Sequence, residues 1–182
     1  MELYFNTDLC KETDITTALL AEYIKDVCEL SETNEVVISG EEFEESIGIK
    51  ALSAERTLRK VRDSGYITYL FKQKKCEFHI KLVKVPPEAD ITMYKFDNKG
   101  QFSPKRMLIK TILKEYGSWM NSVEVGYASG GIFSKDAANA ALNDMARKGE
   151  LLKEDVTKES RGDGMCGRRI VFKLVDGDGN GR

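Results

Sequence analysis

An α+β fold arranged as two small domains in tandem is predicted by three features of the 182-residue sequence. Apolar residues recur at helical spacing in some stretches and alternate at strand spacing in others. The adjacent prolines of "VKVPPEAD", residues 83–90, interrupt the chain with a stiff, extended connector. Beyond them the order of helices and strands repeats. The length agrees, because domains commonly run to about 100–150 residues and two smaller ones fit here.

Residues 1–12 read as an N-terminal tail, and the first domain as residues 13–84. From Thr13 to Leu30, Ile15, Leu19, Tyr23 and Val27 recur every four positions, with Leu20, Ile24 and Cys28 beside them. That is an amphipathic helix with a broad buried stripe. "EVVIS" follows as a short strand. The "SGEE" of residues 39–42 fits a capping box, in which Ser39 and Glu42 satisfy each other's free backbone donors. The helix it opens reaches Ile47 and stops at Gly48. Ser53 is expected to cap a third helix. On a wheel of about 100° per residue, Ala54, Leu58 and Val61 share one side of it, while Arg56, Arg59, Lys60 and Asp63 share the other. Gly65 is a natural C-terminal stop. Ile67, Tyr69 and Phe71 then alternate, "KQKK" turns, and Cys76, Phe78, Ile80 and Leu82 alternate back, which makes a hairpin.

Residues 85–102 read as a linker, with "ITMYKF" as a strand within it. The second domain is expected over residues 103–175. Ser103 and Pro104 form an N-cap and first-turn pair for a helix with Met107, Leu108, Ile109, Ile112 and Leu113. A short segment around Val123–Ala128, the "SGG" of residues 129–131 and a helix from Ser134 to Lys148 follow, with Ala138, Ala141, Leu142 and Met145 on one face. "KGELLKE" answers "SGYITYL", and "RRIVFKLV" closes the domain. Leu58, Val61 and Gly65 recur 84 residues later as Leu142, Met145 and Gly149. Residues 176–182, with "DGDGNG", read as a disordered tail.

The order helix, strand, helix, helix, hairpin, with "GYI" joining the third helix to the hairpin, resembles the winged-helix form of the helix-turn-helix. The fold class implied is thus α+β, two tandem winged-helix-like domains, each a small helical bundle with a β-hairpin wing. In that family the third helix commonly enters the major groove while the wing touches the neighbouring backbone.

Charge gives this resemblance a direction. Net charge is only −2, but it is polarised. Residues 1–49 hold 2 basic and 13 acidic residues; residues 50–84 hold 10 basic and 3 acidic. Arg56, Arg59, Lys60 and Arg62 on the third helix, with Lys72, Lys74 and Lys75 around the wing turn, are the nucleic-acid-binding candidates. Arginine suits guanine edges and phosphates, and lysine suits phosphates. Tyr66 and Tyr69 are expected to add contacts. In the second domain Asn139, Asn143 and Arg147 on the third helix and Arg161, Arg168 and Arg169 around the wing are further candidates. That wing, with Tyr94 and Phe96 of the linker, is alternatively a homodimer interface.

The leading expectation is a non-enzymatic protein that binds double-stranded DNA, a transcriptional regulator or a replication-associated factor. The acidic "EEFEES" supports a different class. Glu41, Glu42, Glu44 and Glu45 suit a protein or ribonucleoprotein partner, as in phage or mobile-element inhibitors that resemble helix-turn-helix domains. Anti-CRISPR proteins, which block a nucleic-acid-guided nuclease, are of this kind.

Other motifs carry less. "GDGMCG", residues 162–167, fits GxGxxG but lies between two strands rather than opening a helix, so it reads as a wing tip. "DGDGNG" matches the start of an EF-hand loop without the glutamate at its twelfth position, and "RGD" at 161–163 is a three-residue coincidence. His79 is the sole histidine, and no nucleophile–base–orienter set surrounds it. Cys10, Cys28, Cys76 and Cys166 form no CxxC pair and are expected as free, mostly buried thiols, with no metal or cofactor. No apolar run approaches the ~20 residues of a membrane span, and "MELYFNTDLCKETD" lacks the pattern of a secretory signal, so a cytoplasmic or nucleoid-associated protein is expected.

Overall fold

The computed structural model describes residues 2–94, 103–156 and 169–175. The chain is mixed α+β and divides into two compact units, Met1–Pro104 and Lys105–Arg182. No described helix is long and apolar enough to cross a membrane.

Unit 1 is built around one helix. β1 (Glu2–Phe5) and α1 (Thr7–Glu12) precede α2 (Ile15–Leu30). Asp14 caps α2 by accepting from the Thr17 amide at 3.0 Å. Residues 17–24 are all buried, so α2 has no solvent face over two turns. The amphipathic stripe in its sequence is therefore an underestimate. Its further cover includes β1, whose Leu3 and Phe5 point inward.

β2 (Glu35–Ser39) leads directly into α3 (Gly40–Ile47), where Ser39 accepts from the Glu42 amide at 3.0 Å. Glu42 does not complete the box; its carboxylate accepts from the Tyr23 hydroxyl at 3.5 Å. Gly48, at φ 70°, ends α3 in the left-handed conformation that glycine adopts without a Cβ penalty.

α4 (Ala51–Asp63) follows α3 after three residues. It starts before Ser53: Lys50 is the N-cap, with no side-chain cap bond, and the Ser53 carbonyl accepts from the Thr57 hydroxyl at 2.9 Å. β3 (Ile67–Lys72) and β4 (Glu77–Leu82) complete an antiparallel sheet in the order β2-β4-β3. Phe43 meets Phe78 edge-on at 5.4 Å between ring centroids, and both are fully buried. Each such side chain contributes about 1.5–3 kcal/mol by leaving water.

Two expectations about the ends of unit 1 are corrected. Residues 2–12 are not a tail, and the strand expected in the linker is part of the unit. β5 (Ile91–Tyr94) pairs antiparallel with β1, with Glu2 opposite Tyr94 and Phe5 opposite Ile91. The junction is fastened by polar groups. Asn6 accepts from the Asp8 and Leu9 amides and donates to the Glu88 carbonyl at 2.8 Å, and the Thr7 amide donates to Asp90 at 2.7 Å.

Unit 2 comprises α5 (Pro104–Tyr116), α6 (Ser122–Ala128), α7 (Lys135–Arg147), β6 (Leu151–Val156) and β7 (Arg169–Leu174). β6 and β7 pair antiparallel, and an isolated bridge joins Met120 to Phe172 on β7. Asn121 and Glu124 form a complete capping box at α6. The core holds Ile109, Val125, Ala138, Leu142, Met145 and Phe172, all fully buried.

The two units share one order of elements. In each, a helix is followed by a short extended segment that pairs with the second strand of a hairpin, and two helices lie between them. α4 and α7 are both 13 residues long. Both close with glycine at positive φ, Gly65 at 81° and Gly149 at 74°. In both, the next residue donates back to the helix, Tyr66 to the Val61 carbonyl and Glu150 to Met145. This is the Schellman arrangement of a helix end.

The GxGxxG segment at 162–167, the "RGD" at 161–163, Cys166, Phe96 and the 176–182 tail lie outside the described residues. So does the Tyr94 side chain. Among the described cysteines, Cys10 and Cys28 are buried and Cys76 is half-buried.

Candidate nucleic-acid interface

α4 separates its two faces as its sequence period requires. Ala54, Thr57, Leu58 and Val61 are buried, and Arg56, Arg59, Lys60 and Arg62 are exposed. The four cations differ in what they touch. Arg59 pairs with Glu55 at 2.5 Å, one turn back on the same helix. Lys60 reaches Asp14 at the start of α2, at 2.6 Å. Arg62 pairs with Asp63 at 2.8 Å and lies 6.0 Å above the Tyr69 ring. Arg56 is exposed and makes no ion pair with another described residue.

These contacts shift the groups involved. Burial alone would raise the Asp14 carboxyl, but hydrogen bonds from Lys60 and Thr17 outweigh it and hold the carboxyl below its ordinary value. The Glu55 hydrogen bond, with Tyr69 beside it, raises the Arg59 guanidinium further above its already high value. Exposed pairs of this kind are weak and screened by solvent, so a phosphate can displace the carboxylates at small cost.

The hairpin turn is a single 3₁₀ turn over Gln73–Lys75, and Lys72, Lys74 and Lys75 are all exposed. The turn does not project. The Gly40 amide donates to the Cys76 carbonyl at 2.9 Å, which holds the turn against the start of α3. A Cβ on Gly40 would lie 2.6 Å from the Cys76 sulfur and 2.7 Å from the Ala51 Cβ. The hairpin turn, the start of α3 and the start of α4 therefore meet at one point. Arg56 lies five residues along α4 from Ala51, about 7–8 Å of helix rise. Arg56 and the turn lysines, which have no carboxylate partner among the described residues, thus occupy one end of unit 1, and Arg59, Lys60 and Arg62 extend away from it. Lys50, the exposed N-cap of α4, belongs to the same end and is not among the candidates read from the sequence. Its signal was Gly48, which places the next helix start before Ser53.

Tyr66 is corrected. It is only 6% exposed, with the Lys84 ammonium 5.1 Å above its ring, so it contributes to the core and offers no surface. Tyr69 is half-buried beneath Arg62. On α3, Glu41, Glu44 and Glu45 are exposed, and Glu42 is half-buried against Tyr23. Glu41 and Glu42 lie in the first turn, where carboxylates complement the helix dipole.

The candidates of unit 2 are tied down. Asn143 donates to the Asn139 carbonyl at 2.8 Å and accepts from Lys153 at 2.7 Å. Arg147 pairs with Asp144 at 3.0 Å, and Asp144 also meets Lys148 at 3.2 Å and Arg106. Lys148 and Arg106 together hold the Asp144 carboxyl below its ordinary value. Arg169 pairs with Glu124. Arg161 and Arg168 lie outside the described residues.

No protein-family model matches the chain, and no curated protein sequence matches it either.

Proposed function

We propose that both units are winged-helix domains and that unit 1 binds double-stranded DNA, as a regulator or a replication-associated factor. The observation that carries this reading is the grouping of Arg56, Lys50, Lys72, Lys74 and Lys75 at the end of unit 1 where α3, α4 and the wing turn converge. A helix whose N-terminal half carries an unpaired arginine, flanked by lysines from a hairpin, supplies base-edge and phosphate contacts together. The shared order of elements in the two units supports the winged-helix assignment.

The test is fluorescence anisotropy on duplex DNA across a salt series. The logarithm of affinity should fall linearly with the logarithm of salt, at about −0.9 per phosphate neutralised. Arg56→Ala with Lys74→Ala should flatten that slope by about one unit for each phosphate left without its cation. Asn143→Ala with Arg147→Ala should leave it unchanged. Absence of binding at low salt would overturn the proposal.

The exposed glutamates of α3 favour a second reading, a mobile-element inhibitor of the anti-CRISPR type that binds a basic protein surface. Under it, duplex binding is weak, and reversing Glu41 and Glu44 to lysine abolishes capture of the target nuclease.

A further inference from the structure

The unit 1 sheet packs one face on the helices and leaves the other open. Strand register arranges nine outward residues as a three-by-three grid. One row is Glu35, Lys81 and Thr68, the middle row is Val37, His79 and Leu70, and the last is Ser39, Glu77 and Lys72, in each case across β2, β4 and β3. Val37 is 54% exposed and Leu70 62%. They stand on either side of His79 and line a shallow groove of about 550 Å³. The His79 Nε2 atom is buried, with the Glu77 carboxylate of the same strand 3.6 Å away.

We propose that this face is a self-association surface, on which two copies of the chain pack sheet to sheet about a two-fold axis that lies along the middle row. The charges select that axis. β4 carries Glu77 and Lys81 at equal distances on either side of His79. An axis across the strands places Glu77 of each copy opposite Lys81 of the other, so each lysine, already 2.6 Å from Glu35 of its own chain, meets a second carboxylate. Val37 then meets Val37, Leu70 meets Leu70, and Glu35 and Lys72 face Ser39 and Thr68. An axis along β4 would instead oppose Lys81 to Lys81 and Glu77 to Glu77, and like charges set face to face are strongly disfavoured. Aligned packing of two twisted sheets, with strands within about 30°, accommodates the arrangement.

The size of the face sets the strength. Three strands of five residues cover roughly 14 Å by 17 Å, well short of the ~800 Å² per partner of a standard stable interface. The dimer is therefore transient, populated toward millimolar chain and reversible on dilution.

Sedimentation equilibrium of the full chain, from micromolar to near-millimolar concentration, tests this. A reversible monomer–dimer equilibrium is expected. Lys81→Glu should weaken it at least about tenfold by opposing two carboxylates, and Glu77→Lys/Lys81→Glu should restore it, because the exchanged charges face one another again. Circular dichroism melting establishes that each variant is folded. Val37→Cys and Leu70→Cys give a second measure. Each should cross-link to its own copy above the wild-type background, faster than a mixture of the two forms the 37–70 product. A monomer at every concentration, a dimer indifferent to Lys81→Glu, failure of the double exchange to restore it, or preferential 37–70 cross-linking would each overturn the proposal. None of these readouts involves DNA, so they stand apart from the test of the DNA-binding reading.

Discussion

α4 and α7 are the same helix on the inside and opposite helices on the outside. They start 84 residues apart and have equal length. Ala54, Leu58 and Val61 of one match Ala138, Leu142 and Met145 of the other, and all six are fully buried. At the stations of Arg56, Arg59, Lys60 and Arg62, however, α7 carries Ala140, Asn143, Asp144 and Ala146. The tether from α4 to α2, and from α7 to α5, makes the difference plain. In unit 1 a lysine of α4 reaches a carboxylate at the start of α2; in unit 2 a carboxylate of α7 meets an arginine near the start of α5. Holding two helices together needs opposite charges at that station and is indifferent to which helix carries which. The interior positions are constrained by packing, and the exterior ones are free to set the electrostatics of each unit separately.

The interior half of this comparison is open to the strongest test. Leu58→Ala and Leu142→Ala each remove a side chain with no exposure, and each should cost about 2–5 kcal/mol. Trp119, the sole tryptophan, reports unit 2 by fluorescence in denaturant, and hydrogen exchange of the α4 amides reports unit 1. A cost below about 1 kcal/mol in either helix would break the equivalence of the two cores.

A smaller effect belongs to the point where unit 1 gathers its hairpin turn. Gly40→Ala places a Cβ against the Cys76 sulfur and Ala51, and overpacking of this kind costs about 1–3 kcal/mol. Urea unfolding followed by circular dichroism measures it. Ser129→Ala in unit 2 should act by a different route, because the buried hydroxyl donates to the Gly126 carbonyl and accepts from the Phe133 amide.

The smallest expected effect concerns the tether itself. The Asp14 carboxyl is depressed in the folded chain, so its contribution is fully present above the unfolded value, about 3.9, and fades as pH falls through the folded one. Asp14→Asn keeps the capping oxygen and removes the charge. It should cost less than about 1 kcal/mol near neutrality and flatten the loss of stability below about pH 4. Asp144→Asn should flatten the same acid limb when Trp119 is the probe, since Asp144 is depressed by Lys148 and Arg106. The buried Glu22 acts with the other sign. Burial raises its carboxyl, which weakens unit 1 as pH rises through that value.

The parts of this molecule legible in its sequence are those written locally. The buried and exposed faces of α4, the stop at Gly48 and the hairpin turn all follow from residues within a few positions of one another. What escaped depends on distance along the chain. β1 is four residues long and pairs with a strand some 89 positions away, so although "ITMYKF" reads as a strand, nothing near it names its partner. The carboxylate that engages Lys60 lies 46 residues before it. Tyr66 follows a glycine and reads as loop, yet it donates back to the Val61 carbonyl and its ring is buried at the helix end.

The ribbon of β1 and β5 has a further consequence. Glu2 lies opposite Tyr94, so unit 1 opens and closes its path at one place. Chain that enters such a module and chain that leaves it pass side by side, and the module occupies no length between them. It can be spliced into a surface loop of a host protein, or cut out of a longer chain, with the flanking segments still meeting where they met before.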